Sequence, residues 1–276
     1  MLFRSITSSL GMAGAQASGL MEMYGPSMQK RFNPGPAARN GVTSALMAQL
    51  GFTGADTIFE GERGFLRAFT DKSFPEQLTV DIGKPFKLDI EFKPHSCARP
   101  IHNSIDCALE IRRRDNPDLA AIERMDIARH PDWGNYHLNK TPQTYHEAQV
   151  SLPYATAVAL KEGQALLAQF TDEKLKDLQL NDLMGRMHVS LDSSLPRGVS
   201  CRMTMTLRNG TKLVSQVDYP KGSIQNPMSD EELHAKFESL AAPVVGAARV
   251  QQIAAKINGL EQCADVGELM ALTQAG

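Results

Sequence analysis

The sequence predicts a mixed fold, all-α at both ends with an α+β region between them. Residues 6–72 carry helix signals throughout. From residue 187 onward, strand-like runs are joined by the Asn209-Gly210 turn pair. Ser229 and Glu232 then form a capping-box pattern that opens a helical remainder to residue 276.

A chain of 276 residues is long enough for a large core and one or two domains. Its 29 basic and 31 acidic residues give a net charge of −2, which exerts no global pull on nucleic acid or on an anionic membrane. An anionic ligand must therefore be held by local clustering. Cys97, Cys107, Cys201 and Cys263 lie far apart without CxxC spacing, and the histidines show no metal-ligand spacing, so neither a disulfide framework nor a zinc site is expected. No apolar run reaches the length of a membrane span, and with no secretory signal a cytoplasmic location is expected.

In chain order, "ITSSLGMAGAQASGLMEMYG" reads as a helix already in progress, dense in the Ala and Gly that permit close packing. Met1–Ser5 lead into it without a linker. "LFRS" is what the end of a sequencing adapter would encode, so these five residues are read as non-native and the chain as entered midway. Pro36 suits a first helical position and Gly51 a helix end, with Val42, Leu46 and Leu50 at fourfold spacing between them. Thr53 is placed to cap a short helix through Phe59, and another helix begins after Gly61. "KPFKLDIEFK" alternates apolar and polar residues as a half-buried strand does. "CARPIHNSIDCALEIRRR" sets Cys97, Ile101, Ile105 and Leu109 on one helical stripe, with His102 and Asp106 together beside it. In residues 115–150, "IERMDIARH" suggests a strand and the rest is rich in loop residues; "SLPYATAVALKEG" is a helix from near Pro153 to Gly163. "MHVSLD", "SCRMTMTL" and "KLVSQVDYP" are strands, the last two joined as a β-ribbon.

Two segments offer cations to an anion. Lys30 and Arg31 precede Pro34-Gly35 and a helix start, where free amide N–H groups attract negative charge. The same residues also fit a solvated loop before a helix. Lys93 ends the predicted strand, and Arg99 and His102 follow on the turn into the next helix, bringing three cation-capable groups to one rim. Alternatively, Asp106 pairs with His102 one turn on and Arg99 stays at the surface. Tyr154, at a helix start, could donate a phenolic proton or simply pack. No GxGxxG, P-loop or GxSxG motif is present.

Five blocks, "GMAGAQASGLMEMYG", "KRFNPGPAARNGVTSALMAQLGFTGADTIFEGERGF", "KPHSCARPIHNSIDCAL", "SLPYATAVALKEG" and "NPMSDEELHAKF", occur in an order and spacing that resemble the MmgE/PrpD family, from about residue 8 onward. That family contains 2-methylcitrate dehydratase, cis-aconitate decarboxylase and iminodisuccinate epimerase. The stretch around Lys30 leans toward the decarboxylase and epimerase branch.

The resemblance implies a large all-α domain with an inserted, smaller α+β lid: residues 1–82 and 227–276 in the former, 83–226 in the latter. It implies a lyase or isomerase acting on a small di- or tricarboxylate without metal or organic cofactor, in a homodimer that binds neither nucleic acid nor membrane. Active-site lysines fall on Lys30 and Lys93, the histidine of the "K-x-x-x-C…H" segment on His102, and the tyrosine of the "S-x-x-Y" segment on Tyr154. Arg31 and Arg99 are the accompanying substrate-binding cations. The family's active-site Asp and two further His are expected in an N-terminal segment outside these residues, so the chain is expected to be a truncated member. Its rival description is a non-catalytic fragment that at most binds an anion.

Overall fold

The computed structural model of the protein describes residues 2–20, 29–85 and 89–274, the side chains of Leu2, Phe3, Lys30 and Arg31 excepted. The chain forms two compact units, residues 1–88 and 89–276.

The first unit is helical: α1 (Leu2–Ala15), α2 (Gln29–Phe32), α3 (Pro34–Gln49) and α4 (Phe65–Phe69). Prolines in the first turn of α3 need no N–H partner there, and Gly51 takes φ +93° just beyond its end. The helix thus begins two residues before the expected Pro36. α1 packs on α3, where Gln16 donates to the Ser44 hydroxyl at 3.2 Å. A Cβ at Gly11 would stand 2.6 Å from the Ala55 carbonyl oxygen, so the small residues of α1 do permit a close backbone approach. The helix expected from Thr53 to Phe59 is instead a series of turns. The carbonyls of Ile58 and Phe59 are taken by the N–H groups of Phe65 and Leu66, which folds the segment back on itself. Val42, Leu46 and Leu50, the fourfold stripe of α3, are 56 to 87% exposed.

The second unit is α+β. Its helices are α5 (His102–Asp115), α6 (Pro131–Gly134), α7 (Tyr145–Ala148), α8 (Leu152–Glu162), α9 (Leu178–Gly185), α10 (Asp230–Val245), α11 (Ala247–Asn258) and α12 (Val266–Leu272). Its strands are β1 (Ile122–Arg129), β2 (Met187–Leu191), β3 (Cys201–Leu207) and β4 (Lys212–Val217), in the order β2-β1-β3-β4. β1 and β2 run parallel, while β3 lies antiparallel to both β1 and β4. Gly210 at φ +83° closes the β3–β4 hairpin, where the Leu207 N–H donates to the Thr211 carbonyl. Alternation on β3 turns Cys201, Met203 and Met205 inward against Ile101, Ile105, Cys107 and Ala108 of the α5 region. α8 is buried from Leu152 to Leu160 and touches α5, where Thr156 donates to the Ser104 hydroxyl at 3.0 Å. Its ends follow the sequence: Ser151 caps it and Gly163 terminates it at φ +76°.

One sequence expectation fails at the start of this unit. Phe86 and Leu88 lie outside the described residues, and Asp89–Lys93 is irregular rather than a strand. Among the described residues its backbone-to-backbone pairing is the Phe92 N–H, which donates to Gly222 at 2.8 Å, and Pro94 follows without a donor. Gly222 has φ +82°, and a Cβ there would overlap the Phe92 carbonyl at 2.0 Å, so this contact requires glycine.

β1 ends on a buried cation. Arg129 is 2% exposed, with its guanidinium donating to the carbonyls of Pro100 at 2.8 Å, Tyr136 at 3.0 Å and Gly134 at 3.4 Å. Burial pulls its pKa below the ordinary arginine value, yet three carbonyl dipoles face the charge. The turn before α5 is thereby tied to the loop after β1. Replacing Arg129 by Met strands those carbonyls and is expected to destabilise the protein by roughly 2–5 kcal/mol, read as a lower urea midpoint.

Candidate active site

The turn Lys93–Ile101 leads through a short 3-10 segment, Arg99–Ile101, into α5, whose first residue is His102. It carries a concentration of cation-capable groups. Arg99 has 16% of its side chain exposed; its Nε donates to Glu91 at 2.9 Å and its Nη1 to the Lys221 carbonyl at 2.9 Å. Its Nη2 is buried and has no hydrogen-bond partner among the described residues. A buried guanidinium donor without a partner costs free energy unless a ligand supplies the acceptor.

His102 lies under this arginine. It is fully buried, its Nδ1 lies 3.4 Å from Arg99 Nη1 and its Nε2 lies 3.4 Å from the Cys97 carbonyl. Those neighbours assign the proton to Nε2, which donates to the carbonyl, and leave Nδ1 as an acceptor. Burial, then the nearby His95 and Arg99, with a further push from Lys93, drive its pKa down to about 2. His102 is a neutral imidazole at working pH and cannot serve as a cationic donor. Cys97 is no nucleophile either, because burial holds its thiol protonated.

Asp106 does not pair with His102. The expected one-turn partnership fails because the His102 ring is turned into the core, while Asp106 reaches back to His95 Nε2 at 2.9 Å. The other Asp106 oxygen accepts the Lys221 N–H at 2.8 Å. The His95 and His102 rings lie 5.0 Å apart. Lys93 is exposed, and its charge is felt at Cys97, His102 and Lys236.

The structure thus brings Lys93, Arg99 and His102 together on one turn. Tyr154 is buried in α8, where its hydroxyl donates to the Gln169 carbonyl at 2.8 Å and its ring stands 5.8 Å from Phe170. Burial, reinforced by Glu162 and Asp177, pushes its pKa up to about 12. Lys30 and Arg31 belong to α2, and their side chains lie outside the described residues. Sequence reading missed the His95–Asp106 pair and the approach of Lys236. The first spans 11 positions across a turn and the second 143, beyond any local periodicity. Among the described residues no group of three His, Cys, Asp or Glu is placed to hold a metal, and no helix is long and apolar enough to cross a membrane.

Comparison with known proteins places this turn in a family. The profile of the MmgE/PrpD N-terminal domain matches residues 3–77, and that of the MmgE/PrpD C-terminal domain matches residues 95–261. The chain belongs to the MmgE/PrpD family. The match reaches back to residue 3, ahead of the point near residue 8 where the motif blocks begin. The cis-aconitate decarboxylase-like protein oryM of Aspergillus oryzae is 31% identical over 96% of this chain and 59% of its own length. Cis-aconitate decarboxylase of Aspergillus terreus is 27% identical over 97% of this chain and 59% of its own. The mouse enzyme of that name is 26% identical over 88% and 52%. The chain therefore spans roughly half to three fifths of the curated relatives it matches.

The buried neutral His102 links stability to pH. Its folded pKa, about 2, lies below the ordinary 6.5, so the unfolded chain takes up a proton first as pH falls. The contribution is fully present above pH 6.5 and is lost progressively below it, by about 2 kcal/mol between pH 7 and pH 5. Urea titrations at the two pH values should show this loss, and His102→Gln should flatten it. An equal slope in the variant assigns the loss to other groups.

Proposed function

We propose that this MmgE/PrpD chain carries part of the active site of a lyase that acts on a small tricarboxylate, by proton transfer or elimination next to a carboxylate. The observation that carries the reading is the buried Arg99 Nη2, which has no partner among the described residues, on a turn whose Arg99 and Lys93 charges are both felt at His102. A carbon acid flanked by carboxylates is weak, so its enolate-like state needs fixed cations and donors aimed at the developing charge. Arg99 and Lys93 supply such cations; Lys30 and Arg31 are proposed as substrate-site residues on the family resemblance alone. The names of the relatives favour decarboxylation of cis-aconitate over dehydration or epimerisation.

His102 enters as a neutral group that accepts from Arg99 and so aims the guanidinium. A role for Tyr154 in proton donation would require its hydroxyl to leave Gln169, so packing is its better-supported contribution. The all-α and lid boundaries near residues 83 and 226, and a homodimer, remain part of the proposal.

A second reading, a protein that binds the anion without turning it over, is favoured by one observation. The fully buried His102 is bonded to the Cys97 carbonyl and held neutral, so it is not poised to carry a proton.

Assays with methylcitrate, cis-aconitate and iminodisuccinate separate the readings. Turnover of cis-aconitate that falls on the order of 10²–10³-fold in Lys93→Ala, with the fold intact, supports the lyase. Calorimetric binding of cis-aconitate without turnover supports the second reading. Wild-type turnover in Lys93→Ala removes Lys93 from the chemistry, and absence of both binding and turnover removes both readings.

A further inference from the structure

We infer that Lys236 is a positioning residue for Lys93: from α10 its ammonium group donates to the Lys93 main-chain carbonyl and fixes where Lys93 presents its own charge beside Arg99 and His102. The inference rests on the anion site proposed for the turn, but its geometry is independent of which anion binds.

α10 is held in place for this contact. Ser229 and Glu232 close a reciprocal capping box, with the Ser229 N–H on Glu232 at 2.8 Å and the Glu232 N–H on the Ser229 hydroxyl at 3.2 Å. The same Glu232 carboxylate pairs with Lys221 Nζ at 2.9 Å, and the Lys221 N–H is the donor that holds Asp106. Lys236 lies one helical turn beyond Glu232, on the same face, and so is carried to the turn that α10 is already tied to. The bond matters there because Lys93 sits in an irregular segment with few main-chain partners: Phe92 bonds to Gly222, and the next main-chain donor held is the Ser96 N–H, on Ala165 at 2.9 Å.

Two ammonium groups within electrostatic reach of one another without a counter-ion are costly. Neither Lys93 nor Lys236 has a carboxylate partner among the described residues. Lys236 is half-buried, and burial followed by the Lys93 charge pulls its pKa below the ordinary lysine value. A bound polyanion relieves both penalties, which explains why a cation occupies a position where a neutral donor would have served the carbonyl alone.

Amide hydrogen exchange and cis-aconitate affinity of the full chain test the inference together. Lys236→Met keeps the side-chain length and removes the donor; Lys236→Arg restores one. Exchange at Phe92 and Ser96 is expected to rise roughly tenfold in the Met variant and to return in the Arg variant, with the melting temperature unchanged. Cis-aconitate affinity is expected to fall by a similar factor and to recover with Arg. Wild-type exchange at both amides in Lys236→Met overturns the inference, as does a loss confined to the melting temperature. If the wild-type chain binds no cis-aconitate, the proposed function fails, while the exchange comparison still decides whether Lys236 holds the turn.

Discussion

The Asp106 carboxylate is the constraint on which the rest of the candidate site depends. One oxygen holds His95, on the turn before α5, and the other holds the Lys221 N–H, on the segment that leads to α10. A single group one turn into α5 therefore fixes two chain segments that are more than a hundred residues apart in sequence. With Asp106 in place, the Lys221 carbonyl is presented to Arg99 and the Lys221 ammonium to Glu232. Arg129 performs the same service for the backbone by donating to the Pro100 carbonyl. The turn is consequently held by charges whose partners are dipoles and carboxylates of the same unit, and one buried donor, Arg99 Nη2, has no partner among the described residues.

The electrostatic character of the turn follows from burial. His102 could have been a third cation, but the core it occupies and the positive neighbours around it keep it neutral. Neutrality has a use: an imidazole that accepts from Arg99 orients a guanidinium, whereas an imidazolium would repel it. Positive charge is thus left on the exposed Lys93, which has no carboxylate partner among the described residues, and on the mostly buried Arg99, which pairs with Glu91. Under the proposed function, a ligand that carries more than one negative charge is what such an arrangement would meet.

What was legible in the sequence was local. Asn209-Gly210, the Ser229–Glu232 box and Gly163 each specify a turn or helix end through their own backbone chemistry, and each lies where expected. Lys93, Arg99 and His102 were expected on one rim because they are close in sequence. The expectations that failed were those where a non-local contact outcompetes local pattern. Alternation around Phe92 suggested a strand, but its backbone finds only Gly222. Thr53 suggested a cap, but the following carbonyls are taken by Phe65 and Leu66. Asp106 stood one helical turn from His102 yet belongs to His95, because the core claims the His102 ring. Nothing in the neighbourhood of Arg129 or Lys236 announces their carbonyl partners.

The measurement that tests the central claim most directly is a crystal structure of this chain with cis-aconitate bound. The account predicts a carboxylate oxygen within hydrogen-bond distance of Arg99 Nη2, with Lys93 Nζ turned toward the same anion and His102 still bonded through Nε2 to Cys97. A ligand seated elsewhere, with Arg99 Nη2 donating to a protein group instead, would contradict it.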